Sequence, residues 1–128
     1  MMKLLLLITT LACIHASAQD SSKTKPKEYL GILTLTIKYQ DDKNWSKDDE
    51  AIVGEHFKRL IQMKNEGIVV LAGRTQLPTN SPDMMGLIIF YAKDDKEANE
   101  FMMNDPAVKN HIMNARVLPY GIALSKCN

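Results

Sequence analysis

Between Tyr29 and Tyr39 the chain alternates, with Leu33, Leu35, Ile37 and Tyr39 set against Thr34, Thr36 and Lys38. A period of two with β-branched residues makes a strand with unlike faces. Asp41–Trp45 reads as a turn or loop, and the period then changes. Ser46 is placed as an N-cap, with Asp49 at the capping-box position and acids from Asp48 to Glu50 in the first turn. Ile52, Val53, His56, Phe57, Leu60 and Ile61 recur at helical spacing, Lys58, Arg59 and Lys64 take the other face or the cationic end, and Gly67 is a natural stop.

The rest of the chain repeats this grammar. Ile68–Ala72 is a continuous apolar run suited to a buried strand, and Gly73–Met85, with two prolines, is a long loop of the kind that often carries function. Gly86–Ala92 is a third strand. Asp94 caps a second helix through Ala98, Phe101 and Met102, and Asp105-Pro106 starts a short helical turn with proline at its first position. Ala115–Leu124 reads as a fourth strand, which Pro119 confines to a sheet edge or bulge. The order β-α-β-β-α-β is the split βαβ pattern of ferredoxin-like α+β folds: a four-stranded antiparallel sheet with helices on one face. The other face then needs a cover, and a second copy is the simplest one, so a homodimer is expected.

Ahead of this domain, residues 1–18 read as a secretory signal. Lys3 gives the positive start, Leu4–Ala12 the apolar run, and Ala16-Ser17-Ala18 the small-residue cleavage pattern. The run is too short for an ordinary spanning helix, so no stable membrane insertion is expected once the leader is removed. Cys13 follows Thr10-Leu11-Ala12, whereas a lipobox usually has Leu where Thr10 stands, so release is favoured over lipid anchoring. Residues 19–28 are a polar tether, and the folded domain is placed at residues 29–125. The expected location is periplasmic or secreted.

Charge is uninformative in a useful way. The chain has 16 Lys+Arg and 15 Asp+Glu, and loss of Lys3 with the leader leaves 15 of each. Binding of nucleic acid or anionic membrane needs a basic excess or patch, which this balance argues against. Cys127 is the one cysteine outside the leader, which rules out an internal disulfide framework. No glycine-rich phosphate loop, His-x-x-x-His or cysteine pair is present, and neither metal nor cofactor is expected.

Two residues carry the chemical interest. His56 lies on the apolar side of the first helix, either as a general acid or base or as a core-edge histidine bonded to a backbone carbonyl. Asp105, before Pro106, is fully explained as an N-cap, yet a cap uses one carboxylate oxygen and leaves the second free to orient a histidine. Arg74, following Ala72-Gly73 at the end of the second strand, either meets an anionic substrate or is a solvated loop arginine. His111 is expected at the surface, and the Met84-Met85 and Met102-Met103 pairs in core gaps.

With His56 and Asp105 on this frame, the chain resembles YCII-related (YciI-like) domains of the dimeric α+β barrel superfamily. The matching residues are Glu55-His56 with Arg59-Leu60, Glu66-Gly67, Leu71-Ala72-Gly73, Gly86, Asp95–Phe101, Asp105-Pro106-Ala107-Val108 and Val117-Leu118-Pro119-Tyr120. The resemblance spans Tyr29–Leu124 and implies a His–Asp pair, His56 with Asp105, at a cleft. Similar proteins act in aromatic breakdown, including a dehydrochlorination, and the superfamily includes lactone isomerases and small monooxygenases. The implied function is a cofactor-free lyase or isomerase acting on a small enolisable or aromatic molecule. The alternative is a non-catalytic small-ligand or haem-binding module with His56 as axial ligand. Familiar members are cytoplasmic, so the leader is a departure.

Overall fold

The computed structural model describes residues 25–126. The expected leader with Cys13, the first part of the expected tether, and Cys127 lie outside the described residues. The elements run β1 (Lys27–Leu35), α1 (Lys47–Asn65), β2 (Val69–Arg74), β3 (Gly86–Ala92), α2 (Asp95–Met103), α3 (Pro106–Lys109) and β4 (Met113–Pro119). The sheet order is β2-β3-β1-β4 with all three pairings antiparallel, which is the expected ferredoxin-like α+β arrangement.

Alternation along β1 divides the two faces. Tyr29, Gly31, Leu33 and Leu35 are buried toward the helices. Leu30 and Ile32 point to the opposite face, where pairing lines up Leu71, Ile89, Leu30 and Leu118 straight across the sheet. That row is apolar and only partly covered, with Leu71 56% and Leu118 38% exposed.

The bounds of β1, β2 and β4 differ from the sequence reading. β1 begins at Lys27, because Lys27 and Glu28 pair with Ala92 and Tyr91, so the tether ends two residues earlier. It ends at Leu35 rather than Tyr39, since β4 begins at Met113 opposite Leu35 and beyond it no partner strand exists. Ile37–Gln40 instead forms a 3-10 turn that leaves Ile37 87% exposed and tucks Tyr39 inward. There Tyr39 stacks edge-on against Trp45, and its hydroxyl donates to Asp49 Oδ1 at 2.9 Å. β2, expected to be buried, is an edge strand with Val69 alone buried, and β4 stops at Pro119 rather than Leu124.

The two longer helices start as their caps dictate. Ser46 and Asp49 form a reciprocal capping box, and Asp94 accepts from the Glu97 N–H. Gly67, at φ +78°, closes α1 with paired bonds from Gly67 N to Lys64 O and Ile68 N to Met63 O, a Schellman ending. His111, at φ 57°, ends α3 the same way and is exposed as expected.

Between sheet and helices, Tyr29, Leu33, Leu60, Ile88, Phe90 and Met102 form the main core, which Leu35, Tyr39, Ala107 and Ile112 extend toward α3. A Cβ at Gly31 would lie 2.6 Å from Met102 Sδ, so the end of the Met102 side chain, only 1% exposed, would have to shift within the core. Gly31→Ala should therefore destabilise the domain by about 1–3 kcal/mol through overpacking, read as a lower urea midpoint with an unchanged m-value.

Candidate active site

Asp105 ends the link between α2 and α3 in extended conformation, and its Oδ1 accepts the Ala107 N–H at 2.9 Å. Pro106 at the first helical position has no N–H to satisfy and fixes the backbone for this cap. One carboxylate oxygen is thereby used and the direction of the second is set. Oδ2 points at α1, where it meets His56 Nδ1 at 2.7 Å.

α1 brings the imidazole there by its own period. Ile52, Val53, His56, Leu60 and Met63 share its inward side, and His56 and Leu60 are its two buried residues. Arg59, three residues after His56, turns to the same carboxylate: Nη1 lies 3.5 Å from Asp105 Oδ2, and Nη2 donates to the Phe101 carbonyl at 2.7 Å. Its guanidinium lies 4.4 Å from the Phe101 ring centroid. This corrects the sequence reading, which put Arg59 on the outer or cationic side of the helix. A charged residue between apolar positions reads as solvated unless its partner is known, and here the partner comes from 46 residues away.

Asp105 is 1% exposed. Burial alone would push its carboxyl up. The His56 hydrogen bond and charge, the Ala107 N–H and the Arg59 guanidinium outweigh that, and hold the carboxyl below its ordinary value. For Arg59 the balance is opposite: burial pulls the guanidinium down, and Asp105 only partly restores it. The pair is therefore an ionised carboxylate facing an imidazole nitrogen. An ionised carboxylate can only accept, so Nδ1 carries the proton.

The other edge of the ring faces space. His56 lines a cleft of about 350 Å³ between α1 and the end of the sheet, with walls that include Leu33, Val53, Phe57, Leu60 and Ile88. Nε2 has no hydrogen-bond partner among the described residues, and no fully buried side-chain nitrogen or oxygen there lacks one, so Nε2 is accessible. Phe57 and Ile61, expected on the buried side, are 63% and 45% exposed, Phe57 forming part of the cleft wall. Arg74, from the end of β2, lines the same cleft. Met84 is a further wall residue; Met102 fills the core and Met103 is exposed.

The structure thus brings His56 and Arg59 onto the Asp105 carboxylate, and Arg74 lines the same cleft as His56. Among the described residues there is no group of three or more His, Cys, Asp or Glu side chains that could hold a metal ion. Nor, among them, is any helix long and apolar enough to cross a membrane.

No curated protein matches the chain. The model of the YCII-related domain family does, over residues 32–120, a stretch that contains β1 from its middle onward, both members of the His–Asp contact and β4. With that match on the βαββαβ frame it has the topology to accommodate, the chain belongs to the YCII-related domain family.

Proposed function

We propose that this protein is an exported, cofactor-free enzyme of the lyase or isomerase type that moves a proton on a small enolisable or aromatic molecule. The observation that carries the reading is the 2.7 Å contact between His56 Nδ1 and a buried carboxylate, with Nε2 left open to an apolar cleft. In the first step Nε2 takes a proton from a carbon next to a carbonyl, and the C–H electron pair moves into the enolate with its charge on oxygen. Asp105 stabilises the imidazolium so formed, without itself taking the proton. The proton then returns to a different carbon, which is isomerisation, or the enolate expels a leaving group at the β position, which is elimination.

Apolar walls favour this chemistry because they exclude water and strengthen the field of the few polar groups present. The test is deuterium incorporation from heavy water into a panel of small ketones, lactones and hydroxylated aromatics, followed by NMR. Exchange or turnover above the buffer rate with the wild type, lost in His56→Ala, supports the proposal; no exchange above the buffer rate with any compound contradicts it.

The active species in this reading is a homodimer. The Leu71, Ile89, Leu30 and Leu118 row gives the uncovered sheet face an apolar strip that a second copy would bury. Sedimentation should give twice the mass of the mature chain, and Ile89→Asp, which places a charge in the middle of the strip, should give the monomer.

A further inference from the structure

The cleft holds a second chemical instruction besides the imidazole. On the helix-covered side of the sheet, Arg74 pairs with Gly86 and Gly86 pairs with Leu33. The glycine leaves a bare patch of backbone between the guanidinium and the apolar wall. A Cβ at Gly86 would stand 3.5 Å from Leu33 Cβ and 3.8 Å from the Gly73 carbonyl, so any larger residue there would fill this part of the floor. Arg74 makes no ion pair or hydrogen bond with any described side chain. The described cleft wall contains no carboxylate, and Arg74 and His56 are the two residues in it that can carry a positive charge.

A guanidinium without a protein carboxylate, at the edge of an apolar cleft, has its fork of donors free for a planar anion. We propose that Arg74 is a substrate-anchoring residue, and that the ligand is a small carboxylic acid with an apolar body. The carboxylate sits at Arg74, and the body lies over Gly86 and Leu33 toward His56. Depth fixes the orientation. Arg74 is exposed at the mouth, whereas His56 is 9% exposed, so the carboxylate stays outermost. The carbon that gives up its proton is then remote from the carboxylate rather than adjacent to it. The binding half of this inference stands on the cleft alone; the position of the reacting carbon rests on the proton-transfer reading.

The experiment is an NMR titration of the wild-type protein with benzoate and cyclohexanecarboxylate, each against its neutral amide, following the Gly86 amide and the His56 ring signals. Both acids should bind saturably and about tenfold more tightly than the amides, the advantage of one charge-assisted, forked contact. Arg74→Gln should remove that preference, while Arg74→Lys should keep part of it. Equal binding of acid and amide, a preference that survives in Arg74→Gln, or no saturable binding by either acid would overturn the proposal. Asp105→Asn separates the two readings: it should abolish proton transfer and leave the acid-over-amide preference in place.

Discussion

Asp105→Ala should be the most destabilising single change at the site, lowering the unfolding free energy by about 3–5 kcal/mol at neutral pH, as breaking a buried charge pair does. Three losses coincide. The Ala107 N–H loses its cap, worth about 1 kcal/mol in comparable helices. The His56 Nδ1–H is left without its acceptor in a buried position, and such an orphaned donor costs about 1–3 kcal/mol. Arg59, drawn to the carboxylate and only partly exposed, loses its counter-charge. Asp105→Asn keeps the shape and the cap, so it should cost well under half as much. Urea unfolding of the two variants side by side checks this; equal losses would mean that the charge, which both variants remove, accounts for the effect, and not the cap and the filled space that Asn keeps.

The same carboxylate gives stability a predictable pH dependence. Its folded value is held below the ordinary one, by His56, the cap N–H and Arg59 acting against burial. In acid, the unfolded chain therefore binds this proton before the folded one does. The Asp105 contribution is complete above the ordinary carboxylate value and fades as pH falls through the lower folded value. Asp105→Asn should flatten that part of the acid limb. A wild-type and an Asn curve that run parallel there would contradict the assignment.

The second large effect concerns activity. On whichever enolisable compound the exchange screen identifies, His56→Ala should lower the rate by about 10²–10⁴-fold, the usual worth of a positioned acid–base group. Asp105→Asn should approach the same loss, for a reason visible in the cap. The Ala107 N–H needs an oxygen at the Oδ1 position. The Asn oxygen takes that place, and the amide NH₂ is left facing His56 Nδ1. A donor there pairs with a bare Nδ1, which moves the ring proton to Nε2, where no base remains. A carboxylate-to-amide change that left the rate within a few-fold would mean that His56 works without Asp105.

Much of this architecture is legible in the sequence because local signals and tertiary need agree. The Ser46–Asp49 capping box, the stop at Gly67 and the strand Gly86–Ala92 all stand where the pattern puts them. The errors fall where structure depends on a distant partner. Ile37 and Tyr39 continue the alternation of β1, but the strand cannot outlast its partner, which begins at Met113. Val69–Arg74 reads as buried because it is apolar, yet it lies at the edge of the sheet, a position composition does not encode. At the site, the helical phase of His56 and the spare oxygen of Asp105 are both local, so both could be singled out from sequence. Arg59 could not, since its inward turn depends on the Asp105 carboxylate and the Phe101 carbonyl. The i, i+3 spacing from His56 was the one available clue.

The most direct measurement of the central claim is the tautomer of His56, read from its ring nitrogens by long-range ¹H–¹⁵N NMR at a pH where the ring is neutral. The account predicts a protonated Nδ1 and a bare Nε2 in the wild type, and the reverse in Asp105→Asn. A wild-type ring protonated on Nε2 would leave no base at the cleft and would contradict the account.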